Sequence, residues 1–113
     1  MEYRQITEDY AVSGQIAAED VGAIKAAGFK SVICNRPDEE QPGQPSHDAI
    51  KAAVEAAGLA FRYIPVISGQ MTVENVEDQA AALDELEAPV LAFCRSGARC
   101  TNLYALVQES KRG

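Results

Sequence analysis

The sequence predicts an α/β fold with a mainly parallel central sheet flanked by helices, and two observations predict it. Short apolar runs alternate with segments whose apolar residues recur every three or four positions, the pattern of successive βαβ units. One run, Pro89 to Phe93 (PVLAF), is apolar almost throughout, as expected of a strand buried on both faces. With 113 residues, the span 1–113 reads as a single domain with one core.

Along the chain, Tyr10 to Val12 reads as a short strand that turns at Ser13-Gly14-Gln15. Ala17, Val21, Ile24 and Gly28 share one helical face, which predicts a helix over about 17–27 ending at a glycine. Lys30 to Cys34 reads as a buried strand stopped by Asn35-Arg36-Pro37-Asp38. Residues 37–46, with three prolines, Gly43 and several carboxylates, read as a polar loop. Ser46 is the expected N-cap of a helix carrying Ile50, Ala53, Val54 and Ala57, with Gly58 at its end. Phe61 to Val66 reads as a strand broken by Pro65. Thr72 is the expected cap of a helix marked by Val73, Val76, Ala80 and Leu83, and Leu103, Leu106 and Val107 mark the closing helix. Ligands of such sheets bind beyond the carboxyl ends of the strands. That rule sets Asn35-Arg36, the Ser68-Gly69 loop and the segment after Phe93 on one rim.

Composition narrows the function. Seventeen acidic against ten basic residues give a net charge of −7, which disfavours nucleic acid as a partner. No apolar stretch approaches the ~20 residues of a membrane span, and Met1-Glu2-Tyr3-Arg4 opens no apolar leader, so a cytoplasmic location away from membranes is expected. Cys34, Cys94, Cys100 and the single histidine, His47, show no paired metal-ligand spacing, so neither metal nor other cofactor is predicted.

The chemistry concentrates in Cys94-Arg95-Ser96-Gly97-Ala98-Arg99, between the apolar strand and the closing helix. Backbone N–H groups of such a loop converge on an anion, and the helix that follows adds its positive end. The same field favours thiolate over thiol, so Cys94 is the expected nucleophile. Gly97 permits close backbone approach, Ser96 can donate, and Arg99 offers a planar fork for an oxyanion. Arg95, Ser96, Gly97 and Ala98 are the expected substrate-binding positions, with Arg36 on the same rim. Arg95 is equally readable as a solvated residue, and Arg36 as a partner for nearby acids. Asp38 is either a substitute acid or part of a chain turn. Cys100 and Cys34 could each trap Cys94 as a disulfide or receive sulfur from it; otherwise Cys100 is a packed helix residue and Cys34 a strand-end core residue. His47 is expected at the surface of a first helical turn.

Val12-Ser13-Gly14-Gln15, Asn35-Arg36-Pro37-Asp38-Glu39-Glu40, Ile64-Pro65-Val66 and Phe93-Cys94-Arg95-Ser96-Gly97-Ala98-Arg99, in this order, resemble a bacterial family. It is the phosphatase-like domain of the beta-lactamase-hydrolase-like proteins, also described as a sulfurtransferase family, and the resemblance spans roughly residues 3–107. It implies the dual-specificity tyrosine-phosphatase fold, a cysteine nucleophile and, as a partner, a sulfide-metabolising metallo-hydrolase. Two departures from the phosphatase pattern matter. A tyrosine-phosphatase loop sets its arginine after five intervening residues, a position held here by Cys100, whereas Arg99 follows after four, as in a rhodanese persulfide loop. The general-acid aspartate expected after the preceding strand is absent from Pro65-Val66-Ile67-Ser68-Gly69-Gln70. Three functions stay open: a sulfurtransferase working through a Cys94 persulfide, a phosphatase-like hydrolase working through a Cys94 phospho-cysteine, and a non-catalytic module sensing anions or persulfides. A small anionic or sulfane-sulfur substrate fits the first two.

Overall fold

The computed structural model describes residues 1–112. Its five strands are β1 (Arg4–Thr7), β2 (Tyr10–Ser13), β3 (Ser31–Cys34), β4 (Ala60–Tyr63) and β5 (Val90–Phe93), in the sheet order β1-β2-β5-β3-β4. β1 runs antiparallel to β2, and every other pairing is parallel, as the alternating pattern predicts. The helices are α1 (Val21–Ala26), α2 (His47–Ala56), α3 (Val73–Glu85) and α4 (Ala98–Arg112). No described helix is long and apolar enough to cross a membrane.

Alternation along the strands sends side chains into two cores. Ala11, Val32, Cys34, Leu91 and Phe93 pack with Val21 and Ile24 of α1 and Ile50 and Val54 of α2. Tyr10, Val12, Ile33, Val90 and Ala92 face the other way, toward Ala82 of α3 and Cys100 of α4. β5 lies between β2 and β3 and is buried along its whole length. Ser13, Cys34 and Phe93 share one register level, so the three central strands end together.

The structure differs from the sequence reading at four places. β1 is an added edge strand, invisible to an apolar-pattern search because Arg4, Gln5 and Thr7 are exposed. The predicted helix over 17–27 opens as a 3-10 turn at Ala18–Asp20, where the Asp20 carboxylate accepts the Ala17 N–H at 2.8 Å, and becomes α-helical only at Val21. The strand expected to run to Val66 stops at Tyr63. Ile64 and Val66 still donate to the Cys34 and Asn35 carbonyls at 2.9 and 3.0 Å, while Pro65 between them has no N–H to give. Finally, α3 is rotated from its apolar markers, while α4 buries its markers Leu103 and Val107 and exposes only Leu106. Val73 is 75% exposed and Leu106 41%, while Gln79 and Cys100 are fully buried.

Candidate active site

Cys94 emerges directly from the end of β5, where its N–H donates to the Ser13 carbonyl at 3.3 Å. Four residues later α4 begins, so the loop is a tight strand-to-helix turn. Two glycines make that turn possible. Gly97 has φ +93°, a left-handed conformation that suits glycine, and its N–H donates to Cys94 Sγ at 3.0 Å. Gly14 lies beneath the loop, where an added Cβ would stand 2.9 Å from the Arg95 carbonyl oxygen. Gln15 N–H donates to that same carbonyl at 3.4 Å. The Ser13-Gly14-Gln15 turn is thus the floor of the loop.

Cys94 is 1% exposed, and burial alone would favour the neutral thiol. The Cys100 thiol beside it outweighs that penalty, helped by the N–H groups of Cys100, Ser96 and Gly97, and the pKa falls to about 5. At neutral pH such a group is about 99% thiolate. The proton cost is displaced onto the neighbour, since burial and then the Cys94 charge push Cys100 well above an ordinary thiol. Cys34 donates to the Arg36 carbonyl at 3.4 Å and is driven up to about 12 by burial. All three cysteines are free.

An open cleft of about 590 Å³ lies over the loop, lined by Arg36, Glu40, Gln41, Ser68, Arg95, Ser96, Ala98 and Arg99. Five expected site residues therefore meet there: Arg36, Arg95, Ser96, Ala98 and Arg99. Gly97, outside the lining, donates its N–H to the Cys94 sulfur. Arg99 forks onto Glu40, donating from Nη1 to Oε2 at 2.7 Å and from Nη2 to Oε1 at 2.9 Å, and its Nη1 also reaches the Val66 carbonyl at 2.9 Å. Arg36, only 3% exposed, donates from Nε to Glu40 at 2.9 Å, from Nη1 to Gln15 at 3.0 Å and from Nη2 to Gln41 at 3.1 Å. Arg36 is thus a paired scaffold residue, with Glu40 as the acid it pairs. Arg95 is exposed, and no hydrogen bond or ion pair among the described residues engages its guanidinium.

Asp38 does not line the cleft. Its carboxylate accepts the His47 backbone N–H at 2.8 Å and meets His47 Nδ1 at 2.6 Å, while its own N–H donates to the Tyr63 hydroxyl at 3.1 Å. His47 is half-buried against Tyr63, its ring stacked at 3.7 Å. This clip closes the 37–46 loop and sets Glu40 and Gln41 over the cleft, a structural use of Asp38 rather than an acid's.

Two features escaped sequence reading. Glu40 stood unranked among the carboxylates of the 37–46 loop, and only the positions of Arg36 and Arg99 single it out. The other is a buried polar chain on the α3 side. Asn35 Nδ2 donates to Gln79 Oε1 at 2.9 Å, Gln79 Nε2 to the Tyr10 hydroxyl at 3.4 Å, and Tyr10 to the Cys100 carbonyl at 3.0 Å. It ties the end of β3 to the first turn of α4. A glutamine off the apolar stripe gave no signal for it.

Comparison with known proteins identifies the family. The model of the family described as beta-lactamase hydrolase-like protein, phosphatase-like domain, matches residues 2–111. The beta-lactamase hydrolase-like protein of Xylella fastidiosa (strain Temecula1) is 39% identical over 106 residues, covering 94% of this chain and 25% of that protein. The chain thus spans about a quarter of the length of this curated relative. Among solved structures, a Neisseria meningitidis protein provisionally assigned as a phosphatase is 36% identical, with a TM-score of 0.83 over 89% of this chain and 72% of that one. Tk-PTP in its active form, at 21% identity, a TM-score of 0.65 and coverage of 84% and 63%, shares the fold alone. The architecture is that of the tyrosine-phosphatase-like enzymes, and the chain belongs to the phosphatase-like domain family of the beta-lactamase hydrolase-like proteins.

Proposed function

We propose that this domain is a cysteine-dependent sulfurtransferase, carrying sulfane sulfur on Cys94. The observation that carries the reading is a buried thiolate whose loop lines a cleft in which no described residue is placed as a proton donor. Glu40 is the one carboxylate in the lining, and its bonds to Arg99, reinforced by Arg36, hold it below the usual carboxylate range. Expelling an alkoxide without an acid forfeits about 10²–10⁴ in rate, whereas sulfur transfer needs no such proton. Cys94 Sγ attacks the outer sulfur of a small-molecule persulfide, the S–S bond breaks, and the donor leaves as a thiol, taking the bonding pair and the outer sulfur's proton. The persulfide anion then rests where the loop N–H groups converge. An acceptor thiolate or cyanide attacks the terminal sulfur, and Cys94 leaves as the thiolate. A pKa of about 5 makes it a good leaving group.

The tyrosine-phosphatase-like fold favours a second reading, hydrolysis of a phosphate ester by in-line attack of Cys94, with Arg99 released to the phosphoryl oxygens. One comparison tests both. Thiocyanate formation from cyanide and either glutathione persulfide or thiosulfate is measured beside aryl-phosphate hydrolysis, for the wild type and Cys94→Ser. Cys94-dependent thiocyanate formation supports the proposal. Cys94-dependent ester hydrolysis without it replaces the proposal by the second reading.

A further inference from the structure

Glu40 offers more than an absence of acid. Both of its carboxylate oxygens are engaged by guanidinium groups: Oε2 by Arg99 at 2.7 Å, and Oε1 by Arg99 and Arg36, each at 2.9 Å. The fork geometry is the one arginine uses for a substrate carboxylate, sulfate or phosphate. Arg36 has spent its remaining nitrogens on Gln15 and Gln41, so it has no free edge to offer. Arg99 is the guanidinium on the cleft wall closest in sequence to the helix start, and its fork is already filled by an anion from the protein itself. Glu40 is reached from the clipped 37–46 loop rather than from the core, and its side chain keeps 24% of its surface exposed. It is poised to be displaced.

We propose that Glu40 is a specificity-determining counter-anion, occupying the Arg99 fork so that an oxyanion must displace it before entering the cleft. The cleft as built then discriminates against tetrahedral dianions and favours a donor presenting a single sulfur. Phosphate esters and the sulfonate end of thiosulfate both meet this competition. A small-molecule persulfide, whose reacting sulfur needs only Cys94 and the loop N–H groups, does not. Arg95, exposed and unpaired among the described residues, remains for any carboxylate arm of such a donor. This inference rests on Cys94 lying in an anion cradle and deepens the proposed function by naming what selects its donor.

The test measures binding, so it does not depend on which group is transferred. Protection of Cys94 against iodoacetamide alkylation by inorganic sulfate is measured, and the half-protecting concentration is compared across variants at fixed pH and ionic strength. Glu40→Gln should lower it about tenfold, the order expected for freeing one charge-assisted fork in a partly solvated cleft. Adding Arg99→Gln should abolish the gain. Glu55→Gln, the same charge change on the exposed face of α2, should leave sulfate protection within about twofold of wild type. Glu40→Ala gives a second reading of the same point if the glutamine disturbs the fold. Unchanged or weaker protection in both Glu40 variants would overturn the proposal, because Glu40 would then merely hold Arg99 in place. An equal gain in Glu55→Gln would also overturn it, leaving only a general field effect. If no persulfide forms but the sulfate result holds, the sulfur reading fails while the role of Glu40 stands. Persulfide formation with sulfate protection unmoved gives the converse.

Discussion

Replacing Cys100 by alanine should raise the pKa of a residue six positions away. Cys100 is fully buried, and its thiol is the largest influence holding the Cys94 pKa at about 5. A hydrogen bond to a charged group contributes about 1.5–3 kcal/mol, and one pKa unit corresponds to about 1.4 kcal/mol. Cys100→Ala should therefore move Cys94 up by about one to two units. At pH 5.5 the thiolate fraction would fall from about three-quarters to about a tenth at the middle of that range. At pH 8 both proteins would be almost fully ionised. The assay is the rate of iodoacetamide alkylation from pH 4 to 9, with the modified residue located by mass spectrometry. The variant should react several-fold more slowly at pH 5.5 and at nearly the wild-type rate at pH 8. Loss of a buried sulfur should lower stability by about 1 kcal/mol, and thermal melts separate that effect from the titration. An unchanged midpoint would refute the role given to Cys100. A wild-type midpoint above 8 would refute the activated thiolate altogether.

Linkage gives a second expectation. The Cys94 thiol ionises near pH 9 when unfolded and near pH 5 when folded, so between those values the unfolded chain binds more protons and folding gains with rising pH. The benefit is lost as pH falls through about 5. Relative to Cys94→Ser, wild-type stability should climb by at most about 1.4 kcal/mol per pH unit across this window, and a flat difference in denaturant titrations would contradict the pKa. Gly14→Ala brings a Cβ to 2.9 Å from the Arg95 carbonyl. It should cut kcat/KM for sulfur transfer at least tenfold at a stability cost of about 1–3 kcal/mol, and unchanged turnover would remove the turn from the loop's support. Asp38→Asn should leave turnover within about twofold while lowering stability by about 1 kcal/mol through the weakened His47 clip. A hundredfold fall in turnover would make Asp38 the acid after all.

The parallel core and the tight Cys94 loop were legible because each rests on local pattern. PVLAF is a strand whatever surrounds it, and a cysteine leading into Ser96-Gly97 before a helix can be read as an anion loop without tertiary knowledge. The rim rule also held, bringing Arg36 and Ser68 to the cleft that Arg95, Ser96, Ala98 and Arg99 line. What stayed hidden depends on partners far away in the chain. Arg36 and Arg99 stand 63 residues apart, and only folding makes Glu40 their common anion. Gln79 is buried because Asn35 and Tyr10 satisfy it, and a hydropathy pattern gives no sign of that. β1 is held by pairing with β2 rather than by burial, so its polar residues gave no strand signal to an apolar pattern.

The central claim is that Cys94 carries sulfur, and the most direct measurement is the intact mass of the protein after incubation with thiosulfate or glutathione persulfide. The expected result is a gain of one sulfur atom on the wild type, removed by cyanide and absent from Cys94→Ser. No adduct from either donor, with Cys94-dependent hydrolysis of an aryl phosphate by the same preparation, would contradict it and make the domain a phosphatase.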